Sequence, residues 1–187
     1  MEQVFLSCLT EDIGVVVGGI VFSGNMTVEN YDKKYYIGPH RGQFLPITID
    51  SIHRQRLPIR CIKAGQTASC SIMFRTDTIN QKEPPHGFRI RRGQVILSLL
   101  PEQVFWEIEA ELTSRDQLLN QLNAGSQGVI FTGNVRQGAK LLSIQSSGRS
   151  RLARFKFVNE PEWLQPNRTL LFRQDKISYL GKVVNVF

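Results

Sequence analysis

The chain has 187 residues, of which 41% are hydrophobic and 21% are charged, and these proportions are typical of a folded globular protein rather than a disordered or fibrous one. The longest apolar runs, such as residues 13–22, are too short to cross a bilayer as a helix. The net charge is +7, and it is uneven: residues 1–116 carry 13 basic and 13 acidic side chains, whereas residues 117–187 carry 10 and 3. This excess predicts an anionic partner for the last third of the chain, or else a solvated basic surface.

In the first half, short runs of apolar and β-branched residues alternate with Gly, Pro, Asn and Asp, a pattern that predicts strands rather than helices. Residues 76–88 are poor in apolar side chains and rich in turn formers, so we expect an exposed loop there. The predicted strands cover residues 4–9, 14–22, 35–38, 46–53, 57–61, 67–74 and 95–97.

The same pattern continues beyond Pro101. One helix is predicted over residues 115–122, with Ser114 as its N-cap. The remaining predicted strands cover residues 106–112, 127–132, 139–145, 152–157, 169–173 and 178–186. So many short strands favour an all-β fold of two consecutive small β-barrels, which we assign to residues 1–99 and 100–187.

The sequence lacks the patterns of common catalytic and metal sites. Its three histidines lie in separate segments, and its three cysteines show no C-x-x-C spacing, so a metal site or disulfide framework is not expected. Residues 133–140 approach the phosphate-loop pattern, but Ala139 stands at the lysine position and Leu141 follows where a hydroxyl would bind magnesium. We therefore interpret Gly133 and Asn134 as a hairpin turn. A cytoplasmic location, without a secretory signal or a membrane partner, is expected.

Basic side chains fall on predicted strands in both halves. If residues 53–57 form one extended strand, Arg54 and Arg56 lie together on one exposed face. In the second half, convergence of the basic residues on one face would make a platform for nucleic-acid phosphates, whereas scatter would leave a solvated surface. These residues are Arg136, Lys140, Arg149, Arg151, Arg154, Lys156, Arg173 and Lys176.

Several segments occur in an order and spacing that resemble translational GTPases of the elongation factor Tu superfamily. Residues 14–24, 36–39, 49–56, 64–68 and 90–95 resemble the second domain of those proteins. Residues 106–112, 133–137, 155–157, 161–164 and 171–173 are similar to the third domain. The strings Ser-Ile-His-Arg-x-Arg, Gly-Gln-Thr-Ala-Ser, Gly-Asn-Val-Arg-Gln and Leu-Leu-Phe-Arg resemble the branch named GTP-binding protein one and two.

The resemblance implies the two β-barrels of a larger protein that hydrolyses GTP. The phosphate loop and the guanine-selecting Asn-Lys-x-Asp of the family's nucleotide-binding domain do not occur in the 187 residues. This chain is therefore expected not to be an enzyme, and GTP and magnesium are expected only in the nucleotide-binding domain of the parent protein.

In the family, the second domain holds the aminoacylated end of transfer RNA and the third grips the T stem through backbone contacts. The resemblance therefore implies transfer RNA and the ribosome as partners. Residues expected near the acceptor end are His53, Arg54, Arg56 and Arg92. Residues expected at the rim that faces the stem are Arg136, Gln137, Arg173, Lys176 and Gly181.

Two departures from the family leave an alternative open. His53 stands where the elongation factors place a glutamate against the terminal adenosine, and Gln174-Asp175 replaces the expected Glu-Gly. A histidine can stack on a base or donate a hydrogen bond, but it cannot accept one as a carboxylate does when it is protonated. The barrels are alternatively a platform for protein partners of a regulatory or RNA-surveillance GTPase. A stand-alone β-barrel enzyme would instead require a deep pocket with shifted titrating groups.

Overall fold

The computed structural model of the chain describes residues 3–6, 15–28, 33–75, 80–81, 85–113, 119–147 and 150–187. The chain divides into two compact units, Met1–Glu102 and Gln103–Phe187. The predicted boundary, between residues 99 and 100, lies just before this division. Each unit has its own hydrophobic core.

The described residues of the first unit form ten strands, and six of them form a ring of antiparallel pairings in the order β5-β4-β10-β1-β2-β8, which returns to β5. β3 and β7 form a separate two-stranded sheet. The strands are β1 Gln3–Leu6, β2 Val15–Ser23, β3 Asn25–Thr27, β4 Tyr35–His40, β5 Gln43–Arg54, β6 Leu57–Ile59, β7 Cys61–Lys63, β8 Thr67–Arg75, β9 Asn80–Gln81 and β10 Val95–Leu97.

The second unit is a closed barrel of six antiparallel strands in the order β11-β14-β13-β12-β15-β16, so that β12 lies across the barrel from β11. Strand alternation explains its core: in β16, Tyr179 and Val183 are buried while Leu180 and Lys182 between them are exposed. The strands are β11 Glu107–Leu112, β12 Gln127–Thr132, β13 Val135–Ser147, β14 Ser150–Phe157, β15 Thr169–Gln174 and β16 Ile177–Val186.

The all-β fold class of two small barrels is confirmed by this architecture. Residues 133–134 form the predicted hairpin turn, but β13 begins at Val135, four residues earlier than expected. The short strands β3 and β9 were not predicted; β9 lies within the expected loop of residues 76–88. The first half of the predicted helix at 115–122 lies outside the described residues; in its second half Leu119 and Leu122 are buried.

Candidate nucleic-acid interface

The hairpin of β5 and β6 carries three of the residues expected near an acceptor end. His53 and Arg54 end β5, whereas Gln55 and Arg56 form a two-residue turn before β6. Both turn residues have positive φ, 52° and 67°. The predicted strands 46–53 and 57–61 are thus separated by a turn, and the condition for Arg54 and Arg56 to share one face of an extended strand is not met, because the chain reverses at Gln55.

The tip of this hairpin is exposed and combines basic and apolar groups. Arg54 and Arg56 are exposed, and 67% of the neighbouring Leu57 is accessible. His53 is half-buried, and its carbonyl oxygen accepts a hydrogen bond of 3.5 Å from the hydroxyl of Ser69 on β8. The hairpin can therefore offer two guanidinium groups and an imidazole to one ligand.

Arg92 lies in a loop that a buried glutamine, Gln94, holds in place. The Gln94 side-chain nitrogen donates to the carbonyl oxygens of Pro39, at 3.1 Å, and Arg89, at 3.0 Å. Its side-chain oxygen accepts from the backbone N–H of Arg91, at 2.9 Å. These bonds fasten the loop to β4 and leave the side chain of Arg92 exposed.

The strand register does not bring Arg92 to the hairpin tip. Val95, which begins β10, pairs with Gly38 near the end of β4, and β4 turns into the beginning of β5 at Gln43. The hairpin tip follows the other end of β5, at Arg54. Arg92 and the tip are therefore at opposite ends of the same strand ring, and they would contact different parts of an extended ligand.

In the second unit, four exposed cationic side chains lie on the outer face of neighbouring strands; we call this set the basic face. Arg136 and Arg173 flank β12, because Arg136 pairs with Phe131 and Arg173 pairs with Val129. Lys140 of β13 lies directly opposite Lys156 of β14. The basic face consists of Arg136, Lys140, Lys156 and Arg173.

The spacing of the basic face suits a row of phosphates. Neighbouring strands lie about 4.8 Å apart, so Arg136 and Arg173, two strands apart, are separated by about 10 Å across the sheet. Like charges placed directly opposite each other destabilise a strand pair, so an anion bound between Lys140 and Lys156 would relieve their repulsion. Lys176, in the turn between β15 and β16, adds an exposed charge near Arg173.

Acidic groups of this unit gather on β11, across the barrel from β12. The Arg154 Nε donates to the Glu107 carboxylate at 2.8 Å, and the Asn185 side chain donates to Glu109 at 2.8 Å. Glu111 lies opposite Lys182 of β16. The surface around β11 is thus largely neutralised, whereas positive charge remains around β12.

The eight basic candidates of the second half therefore divide. Arg154 is paired with Glu107, and Arg151 donates to the Leu119 carbonyl oxygen at 2.8 Å and to the Asn120 side chain. Arg149 lies outside the described residues. The other five converge on the outer surface around β12 or on the turn beside it.

Two residues expected at the stem-facing rim, Gln137 and Gly181, are buried. Gln137 is only 7% exposed; its side-chain nitrogen donates to the buried Glu162 carboxylate at 2.6 Å, and its oxygen accepts from the backbone N–H groups of Asn159 and Glu160. Gly181 is buried where β16 passes β11. Both residues are enclosed in the wall of the barrel, and their place at the stem-facing rim stays a prediction.

The described residues show few other features that indicate a chemical function. They contain no group of three or more His, Cys, Asp or Glu side chains placed to hold a metal ion. None of the helices found in that part of the chain is long and apolar enough to span a bilayer. Burial raises the pKa of the Cys70 thiol to about 12, so this side chain is a neutral part of the core.

Comparison with known proteins gives sequence relatives that cover almost all of this chain. No family model matches it. GTP-binding protein 1 of Xenopus laevis is 28% identical over 180 residues, which are 93% of this chain and 25% of that protein. GTP-binding protein 2 of Mus musculus and of Homo sapiens is 29% identical over 184 residues, 94% of this chain and 28% of that protein. This chain is related to GTP-binding proteins 1 and 2. It spans about a quarter of the length of these relatives.

Two solved structures share the fold across the whole chain. Translation elongation factor SelB of Methanococcus maripaludis, in its apo form, matches with a TM-score of 0.74 at 16% identity, over 43% of that chain. Sup35 complexed with GDP matches with a TM-score of 0.71 at 11% identity, over 47% of that chain. These structures show a shared fold, and the sequence relatives confirm the resemblance to the branch of GTP-binding proteins 1 and 2.

Proposed function

We propose that this chain forms the two β-barrels of a translation-type GTPase and that it binds aminoacyl-transfer RNA. In this proposal the basic face of the second unit contacts phosphates of the T stem, and the β5–β6 hairpin lies near the acceptor end. The parent protein would hydrolyse GTP with magnesium in its nucleotide-binding domain, face the ribosome and act in the cytoplasm. Chemistry of that kind needs no catalytic group on the barrels themselves.

The main support for this proposal is the separation of basic and acidic side chains in the second unit. Arg136, Lys140, Lys156 and Arg173 converge around β12, while the acidic residues of β11 lie across the barrel. Contacts to phosphates depend on summed positive charge more than on particular residue types. Phosphate contacts therefore do not require Gln137 or Gly181, both of which are buried.

Filter binding of the chain to aminoacyl-transfer RNA at low salt tests this role. The variant Arg136→Gln/Arg173→Gln should bind more weakly by roughly tenfold or more, because two charge-assisted contacts are lost. Lys182→Gln is the matched control, since Lys182 is exposed in the same barrel but lies opposite Glu111. Absence of binding by the unaltered chain, or an equal loss with Lys182→Gln, would contradict the proposed surface.

The acceptor-end role of the hairpin requires a second comparison. Transfer RNA that lacks its terminal nucleotides should bind more weakly than intact aminoacyl-transfer RNA if the hairpin contacts that end. Arg54→Ala should abolish this difference without changing affinity for the shortened RNA, since Arg54 is exposed at the hairpin tip. A difference that survives Arg54→Ala would place the acceptor end elsewhere.

A protein-interaction platform of a regulatory or RNA-surveillance GTPase is the second candidate function. It is favoured by a mixed surface beside the basic face: the Arg136 guanidinium lies 5.5 Å from the Phe131 ring centroid, and Leu180 is 50% exposed. Aromatic and arginine groups of this kind are enriched in protein interfaces. Recovery of the same protein partner after nuclease treatment, lost in Leu180→Asp and accompanied by no transfer RNA, would favour this candidate over the first.

A further inference from the structure

A cleft of about 210 Å³ in the first unit lies between the β4–β5 turn and the loop of residues 85–88. Its apolar floor includes Leu45, Pro85 and the largely buried Phe88. Polar groups come from His40 and Arg41 on one side and from His86 on the other. This combination of an apolar floor and a few converging polar groups is typical of a ligand site.

One buried atom of the cleft has no hydrogen-bond partner. The Nε2 of His40 donates to the carbonyl oxygen of Gly87 at 2.9 Å, and the ring packs edge-on against Phe88 with centroids 5.1 Å apart. The other ring nitrogen, Nδ1, is shielded from solvent and unbonded. Buried polar atoms are nearly always satisfied, so an unsatisfied one calls for an explanation, and a ligand group absent from the unbound chain provides it.

The charge around the cleft favours an anion. None of the described residues that line it is acidic, whereas Arg41 and His86 belong to its wall. Arg89 follows Phe88 directly, and the Gln94 side chain ties the backbone at Arg89 to that at Pro39, next to His40. The exposed guanidinium groups of Arg41, Arg89 and Arg92 therefore lie at the same end of the strand ring.

The backbone of the β4–β5 turn is itself unusual. Arg41 has a φ of 50°, a left-handed conformation that a residue with a side chain adopts at a cost in free energy, and Gly42 follows with a φ of 80°. Positive φ at both central residues is the geometry of a two-residue hairpin turn, here between the paired residues His40 and Gln43. This turn holds the Arg41 side chain at the mouth of the cleft.

We propose that this cleft binds a phosphate group, with the His40 Nδ1 hydrogen-bonded to a phosphate oxygen, with His86 as a further hydrogen-bonding group and with the Arg41 guanidinium supplying positive charge. The volume is below the range of about 300–1,000 Å³ typical for drug-sized ligands, so it suits one phosphate group rather than a whole nucleotide. The phosphate can be free or part of an RNA backbone. The site belongs to the first unit alone and does not depend on the basic face of the second.

Nuclear magnetic resonance of the full chain tests the proposal with three probes: inorganic phosphate, a short single-stranded RNA, and adenosine. Phosphate or RNA should shift the ring resonances of His40 and His86 saturably. If both phosphate and RNA saturate the site, a free phosphate group is sufficient for binding. If only RNA saturates it, the ligand is a phosphodiester. Either outcome supports the phosphate site.

Variants separate the site from general attraction by a basic protein. Arg41→Asn keeps a residue that tolerates positive φ but removes the charge, and His40→Phe keeps the ring packing but removes both nitrogens. Each should weaken binding roughly tenfold, whereas Lys63→Gln, an exposed change away from the cleft, should have no effect. No saturable shift, equal shifts with adenosine, or unchanged binding by Arg41→Asn would overturn the proposal.

Discussion

Gly181 is required by the close approach of two strands rather than by an exposed contact. A Cβ atom at this position would lie 2.5 Å from the Glu111 carbonyl oxygen and 2.8 Å from Leu112 Cδ2. We expect Gly181→Ala to lower the free energy of unfolding by about 1–3 kcal/mol, because the β11–β16 pairing must shift. Gly138→Ala is the control: its nearest neighbours would be 3.9–4.0 Å away, and loss of glycine flexibility should leave stability equal or slightly higher. Urea denaturation measures both, and equal losses would contradict the packing argument.

The two described cysteines should differ sharply in reactivity. Cys70 is buried against Met26, with the sulfur atoms 3.7 Å apart, and burial raises its pKa to about 12. Cys61 is exposed. Because the thiolate is the reactive form, iodoacetamide at neutral pH should label Cys61 and spare Cys70 in the folded chain, and label both in urea. Mass spectrometry of the labelled peptides measures this, and early labelling of native Cys70 would show that the first core opens readily.

Gln137 shows why single residues of the candidate site were harder to predict than the fold. A glutamine is most often found on the surface, although the alternation with the buried Val135 and Ala139 places this one on the inner face of its strand. Its burial depends on Glu162, whose carboxylate lies 25 positions later in the sequence and meets it only when the barrel closes. The clustering of Lys140 with Lys156 likewise depends on the register of β13 against β14.

The β5–β6 turn is the element where the local sequence disagrees most with the backbone. Two-residue hairpin turns with positive φ at both positions favour Asn-Gly, yet Gln55 and Arg56 occupy this one. We expect Gln55→Asn/Arg56→Gly to raise the free energy of unfolding by about 1 kcal/mol by removing backbone strain. Arg56→Val should lower it, since a β-branched residue adopts positive φ poorly. Urea denaturation distinguishes the two, and a loss of stability in the Asn-Gly variant would refute this turn geometry.

Whole strands were easier to predict than turns and pairings. β12 was predicted over the residues it occupies, because its side chains alternate and it is bounded by a turn before Val135. The break between the predicted strands 46–53 and 57–61 contains the reversal at Gln55, but no glycine or asparagine there indicates the type of turn. Ring closure also left no local signal, since β5 pairs with β8 and β11 with β16 across long stretches of sequence.

At the scale of the whole molecule, the net charge of +7 does not by itself indicate where a polyanion binds. Its effect depends on which charges are already neutralised within each unit. In the second unit, Arg154 forms an ion pair with the Glu107 carboxylate. The number of basic residues therefore overstates the net positive charge on the β11 side of the barrel. The basic face retains its charge because the strands that pair with β12 and β13 carry no acidic side chains.

The salt dependence of RNA binding should therefore report four contacts rather than the total charge. Each phosphate neutralised releases condensed counterions, so the logarithm of the association constant should fall with the logarithm of salt with a slope of about −3 to −4. Lys140→Gln should reduce the magnitude of this slope by about 1, while Arg154→Gln should leave it almost unchanged because that guanidinium is held by Glu107. Filter binding across a series of potassium chloride concentrations measures the slopes. Equal reductions in the two variants would mean that RNA responds to the total charge of the barrel and not to the basic face.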